Sequence, residues 1–171
     1  MISIGDWGAD QFLRVVGTMA LLGSAMVGGI YFAFSSFIMK ALASLPTAVG
    51  IGAMQAINVV VINRSFLVVF FGTGLLSLVA GGLALWGWDH SSAPLFLAAA
   101  LFYLVGTILV AMFGNVPLNK RLAAVSAAGP DVRDLWEHYL SRWTMWNHVR
   151  TAGAIIGALL YILGLLQMGG T

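Results

Sequence analysis

The segment Trp136-x-x-Tyr139-x-x-x-Trp143-x-x-Trp146-Asn147-x-x-Arg150 gathers three indoles, a phenol, an amide and a guanidinium in a short run of chain. At about 100° per residue, these six side chains share one arc of a helix about 100° wide. His138, Arg142 and His148 point elsewhere. Indoles stack flat on a planar apolar molecule, and amide and guanidinium donors stabilise oxyanions on it. An aromatic belt with a snorkelling arginine, at the point where a helix enters a membrane, is the alternative. Asn147 and Arg150 lie on the aromatic stripe itself, where polar groups usually face a bundle interior or a wet cavity. That favours a polar pocket floored by aromatics.

Two further polar sets could complete such a pocket. Asn115 and Asn119 flank Pro117, where a proline breaks helical hydrogen bonding; they either cap that break or line a cavity. Gln55 and Asn58 share a helical face, and Asn63-Arg64 leads into the next apolar run. Asn58, Asn63, Asn115 and Asn119 are expected to bind substrate together with Trp136, Tyr139 and Trp146, while Trp143, Asn147 and Arg150 are the candidate catalytic residues. Arg150 holds its charge and cannot act as a base. Tyr139 would have to be ionised to do so, and Asp134, Glu137 and His138 lie on other faces, so no proton acceptor is identified.

Other chemistries are excluded or poorly supported. There is no Cys for a disulfide, a thiolate nucleophile or a cluster. His90, His138 and His148 fit no two-His-one-carboxylate or HExxH pattern, so no metal site and no cofactor are expected. No strand pattern hosts a phosphate loop, and no Ser-His-Asp set can be placed on one face. The net charge of +2 is spread without a basic run, which argues against nucleic acid as a partner.

The elements that must position these residues follow from composition. Of 171 residues, 60% are hydrophobic, and eight basic and six acidic side chains are too few to cover a water-exposed domain. Most of the exterior must face a lipid bilayer. Charge-free stretches predict four transmembrane helices near 13–38, 65–87, 93–113 and 149–168. The fold class is therefore an all-α, four-helix membrane bundle, read as one domain over 1–171 without internal repeats. The first span is no cleavable signal, because an acidic segment precedes it and its apolar run is too long.

Residues 41–63, with Pro46, Gly50, Gly52 and several amides, read as an interfacial or re-entrant amphipathic helix, with a fifth span left open. Asp131 follows Gly129-Pro130 and marks the start of a long cytoplasmic helix that runs into the fourth span. The 38–64 and 114–150 loops carry Lys40, Arg64, Lys120, Arg121, Arg133, Arg142 and Arg150, against Arg14 on the other side. By the positive-inside rule those loops are cytoplasmic and both termini lie outside. All three polar sets then fall on one side of the membrane. Ser24, Gly28, Gly29, Gly81, Gly82 and Gly153-x-x-x-Gly157 are expected to let helices approach closely.

The segments Tyr31-Phe32-Ala33-Phe34-Ser35, Met54-Gln55-x-x-Asn58 with Asn63-Arg64, Asn115-Val116-Pro117-Leu118-Asn119, and the 136–150 stripe resemble the anthrone oxygenase-like family. The resemblance covers nearly the whole chain. It implies a small four-helix integral membrane protein, here of a bacterial inner membrane, that oxygenates an electron-rich phenolic aromatic with molecular oxygen and no cofactor. The competing reading is a non-catalytic protein that binds a quinone-like or lipidic molecule, or serves as an assembly partner. Transport ranks below both, because the polar residues cluster near one face and no repeat is visible.

Overall fold

In the computed structural model, residues 4–87, 91–130 and 132–169 are described, with side chains from residue 8 onward. Asp131 and His90 lie outside the described residues. Among those described, the chain is helical with short connections. α1 (Ile4–Ala33) continues through a π-helical turn (Phe34–Ile38) into α2 (Met39–Ala43). α3 (Thr47–Val60) follows Pro46, and α4 (Arg64–Trp86) starts at an Asn63 cap. α5 (Ala93–Tyr103) passes through two π-helical turns (Leu104–Leu109 and Ala111–Asn115) into α6 (Val116–Ala123), and α7 (Val132–Gly169) ends the chain.

Four of these rods are long and apolar enough to cross a membrane: Gly8–Ala43, Arg64–Trp86, Ala93–Ala123 and Val132–Gly169. Their exposed large apolar side chains, such as Leu22, Leu75, Phe113 and Leu166, suit a lipid surround. At 14 residues, α3 is about 21 Å long, short of the roughly 30 Å hydrocarbon core. It packs on α2, α6 and α7 at one end of the bundle, so there are four such helices and not five among the described residues.

α1 packs on α4 and α7, and α5 packs on the same two helices, which makes a four-membered ring. Small residues set the spacing. A Cβ on Gly153 would stand 2.7 Å from the backbone carbon of Gly106, so α7 and the third rod touch backbone to backbone. Gly28, Gly81 and Gly157 also lie at helix contacts, whereas Gly29 and Gly82 meet nothing within 4 Å and have no packing role. The core forms three apolar clusters. One is built around Val16, Ala84, Phe96 and Tyr161, one around Val27, Phe70, Tyr103 and Ala154, and one around Ile51, Met54, Trp136 and Trp143. At the far end, Arg14 donates to the carbonyl of Met168, satisfying a carbonyl that the end of α7 leaves free.

The third rod corrects one expectation. Pro117 is expected to break the helix that carries the third span, yet the rod runs on to Ala123. The turn before Pro117 is π-helical, with the Val116 N–H donating to the Ala111 carbonyl, and Pro117 stands in the first turn of α6. A proline there lacks only an N–H that the start of a helix does not use. The break is thereby absorbed as a bulge.

Candidate functional site

The site lies where α7 passes the end of α1, beneath α3. The π-helical turn after Ala33 widens α1 at the point where Phe34 and Ser35 must face α7. Such bulges recur at functional sites because they re-aim side chains within an otherwise regular helix. Phe34 packs against Trp143 with ring centroids 5.5 Å apart, and the Arg150 guanidinium carbon sits 4.0 Å over the Tyr31 ring and 5.0 Å from that of Trp143.

Arg150 is 6% exposed. Its Nη2 donates to Asn147 Oδ1 at 2.6 Å, while its Nε is buried without a hydrogen-bond partner. Asn147 holds that acceptor in place by donating, at 2.7 Å each, to the Tyr31 carbonyl and to Ser35 Oγ. Thr151 Oγ1 donates to the Asn147 carbonyl and Thr107 Oγ1 to the Arg150 carbonyl, which fixes the local backbone. Two aromatic faces and one amide thus surround a cation. Cation–π contact contributes up to about 2 kcal/mol each when desolvated, well short of the cost of burying a charge.

A cavity of about 280 Å³ opens beside this cation. α1 contributes Tyr31 and Phe34, α3 Met54 and Asn58, α4 Phe66 and Phe70, the third rod Met112 and Asn119, and α7 Trp143 and Arg150. Among the described residues, no Asp, Glu or His lines it. Asn119 Oδ1 accepts from Tyr139 Oη and from Trp143 Nε1, both at 2.8 Å, which turns its amide NH₂ to other acceptors. Asn58 Nδ2 donates to Tyr139 Oη at 3.4 Å. The walls are mostly apolar and aromatic, with the side chains of Asn58, Asn119 and Arg150 among them.

The sequence-derived residues separate into three positions. Asn58, Asn119, Trp143 and Arg150 line the cavity. Behind them, Trp136 and Tyr139 stack with centroids 5.6 Å apart, Tyr139 links Asn58 to Asn119, Asn147 aligns Arg150, and Asn115 Nδ2 donates to the Trp143 carbonyl at 3.0 Å. Neither Asn115 nor Asn119 caps the proline turn; both reach across to α7. Asn63 and Trp146 stand apart. Asn63 is an exposed N-cap, accepting from the Phe66 N–H and donating to the Val60 carbonyl, and Trp146 packs onto Gly114. Gln55 donates to the carbonyls of Leu122 and Val125, which ties α3 to the end of α6.

Sequence reasoning missed Tyr31, Phe34, Ser35, Phe66 and Phe70 as parts of the site. They sit in apolar spans with no polar periodicity to mark them. The available signal was the Tyr31 to Ser35 run, dense in aromatics and hydroxyls at the end of a span.

Planar aromatic walls, a buried cation and two side-chain amides meet at this one cavity. Among known proteins, a family model described as anthrone oxygenase matches residues 63–160, which takes in α4, the third rod and α7 as far as residue 160, Arg150 included, but neither α1 nor α3. No curated protein and no solved structure matches the chain.

Proposed function

The chain belongs to the anthrone oxygenase family, and from that premise we propose that its cavity binds a phenolic aromatic as the anion and presents it to molecular oxygen. The observation that carries this reading is Arg150, a buried guanidinium beside an aromatic cavity that no carboxylate lines. A buried charge needs a counter-charge or close hydrogen-bond partners. A phenolate or enolate oxygen on the ligand supplies one, and the vacant Arg150 Nε and the Asn119 amide supply donors to it.

For an anthrone, the central methylene loses two hydrogens and gains one oxygen atom from O₂, and the second oxygen atom leaves as water. The protein's part is to bind, orient and ionise. Arg150 favours the conjugate base by charge, Asn119 and Asn58 donate to its oxygens, and Tyr31, Phe34 and Trp143 hold the ring plane. Asn147 positions Arg150 and touches no substrate. The proton leaves to water or is already lost when the ligand binds, since no carboxylate or imidazole faces the cavity.

That same lack of a facing base supports a second reading, in which the cavity binds a hydroxyquinone-like molecule without turnover. Oxygen uptake with emodin anthrone, corrected for autoxidation, separates the two. Catalysed uptake that is lost in folded Arg150→Met supports the oxygenase; stoichiometric binding without excess uptake supports the binder. In the membrane, the distribution of Lys and Arg supports an orientation with α3 and the start of α7 in the cytoplasm and the termini outside.

A further inference from the structure

We infer that the ligand enters the cavity sideways from the hydrocarbon layer of the membrane, through a portal between the α3–α4 turn and the third rod. This rests on the reading of the cavity as the ligand site. Four residues both line the cavity and face outward: Ile62 at 69% exposure, Phe71 at 54%, Met112 at 52% and Val116 at 41%. All four are apolar and come from three separate elements, so together they frame an opening and not a single greasy ridge.

Three other approaches are closed. Towards the end of the bundle, α3 lies over the cavity with Ile51 and Met54 fully buried, and Gln55 ties it to Leu122 and Val125. Behind Trp143, the stacked Trp136 and Tyr139 fill the space between α3 and α7. Deeper in the bundle, Phe70 packs on Tyr103, whose hydroxyl donates to the Phe70 carbonyl at 3.0 Å.

The rim is built to sit in lipid. Val59 and Val60 at the end of α3 and Ile62 in the α3–α4 turn are each about 70% exposed, an apolar tip that water would not tolerate cheaply. Exposed Arg64 follows two residues later, and exposed Lys120 and Arg121 stand about two turns beyond Met112 on the third rod. Cations at that height suit headgroup phosphates, which leaves the portal just inside the apolar layer. A hydroxylated polycycle concentrates at this depth, with its ring in the acyl region and its oxygens towards the headgroups. It then meets the portal already oriented, and slides in until its oxygen reaches Arg150.

Ile62→Trp and Met112→Trp narrow the portal, Leu78→Trp adds equal bulk on a lipid-facing position of α4 away from it, and Gln55→Ala loosens α3. Each is reconstituted in phosphatidylcholine vesicles, and the on-rate of emodin is read by stopped-flow quenching of indole fluorescence. The expected result is at least a tenfold slower on-rate, with a parallel fall in off-rate, for the two portal variants, and no change for Leu78→Trp or Gln55→Ala. Unchanged rates in the portal variants, or a faster on-rate in Gln55→Ala, overturn lateral entry in favour of entry past α3. Quenching that persists unaltered in Arg150→Met overturns the cavity as the ligand site, a failure distinct from that of the route.

Discussion

Arg150 Nη2 donates to Asn147 Oδ1 at 2.6 Å, one helical turn back on α7 and at the edge of the cavity. The acceptor is a neutral amide, so the pair fixes the guanidinium in place while leaving its charge uncompensated. Everything proposed for the site depends on that choice of amide over carboxylate at 147.

Asn147→Asp tests it directly. The new carboxylate forms an internal ion pair with Arg150 and satisfies the charge without a ligand. The variant gives up the two donations to the Tyr31 carbonyl and Ser35 Oγ, so its melting temperature in detergent is expected to fall, and below that temperature it is expected to bind emodin at least tenfold more weakly, as read by equilibrium quenching. Arg150→Met leaves Asn147 Oδ1 without its donor but also removes an uncompensated buried charge, which is often neutral or stabilising to replace, so its melting temperature should change little while binding is lost. Arg150→Lys does not rescue binding, since an ammonium lacks the planar face that stacks on Tyr31. Retained binding in Arg150→Met would remove the basis of the proposal.

Asn119 accepts from two donors at once. Asn119→Leu strands the Trp143 N–H and the Tyr139 hydroxyl, at a cost of about 1–3 kcal/mol. Tyr139→Phe leaves Asn119 Oδ1 its bond from Trp143 and releases only the long 3.4 Å donation from half-buried Asn58, and is expected to cost about 1 kcal/mol or less. Thermal melts of the two variants should therefore rank Asn119→Leu well below Tyr139→Phe. Equal loss in both would show that the shared acceptor carries no special weight.

Gly153 and Gly29 separate packing from composition. Gly153→Val drives a side chain into the Gly106 backbone and is expected to prevent assembly of the bundle, seen as loss of the monodisperse peak in detergent. Gly29→Ala meets open space and should leave the protein unchanged or stabilise it by up to about 1 kcal/mol through helix propensity. A folded Gly153→Val would contradict the close contact of α7 with the third rod.

Affinity should follow the ionisation of the ligand. If only the anion binds, the bound state holds fewer protons than the free ligand, so affinity rises about tenfold per pH unit below the ligand's own pKa and levels off above it. Arg150 keeps its charge across this range and adds no second inflection. Emodin titrations in detergent between pH 5 and 9, conditions chosen to bracket a phenol of that class, measure this slope. Affinity independent of pH would mean that the neutral molecule binds.

Much of this architecture was legible without coordinates. The apolar runs gave the four spans, because spanning a bilayer requires a length of apolar helix and little else, and such runs are contiguous in sequence. The 136–150 stripe was also legible, because helical periodicity alone puts Trp136, Tyr139, Trp143, Asn147 and Arg150 on the face that the structure buries. Trp146 lies on the edge of that arc, and it turned to Gly114 instead.

What only the tertiary structure decided was the set of partners each polar group meets. Periodicity is a property of one helix, whereas the choice between cap, latch and cavity wall depends on which neighbour stands opposite. Three amides of one chemical type, Asn63, Asn115 and Asn119, therefore became a cap, a cross-helix tie and a cavity wall. The π-helical turns carry no sequence signature of their own, yet the first presents Phe34 and Ser35 to α7 and another carries the third rod past Pro117. From the sequence came a stripe; the meeting of α1, α3, α4 and the third rod with α7 made it a cavity with a buried cation at its wall.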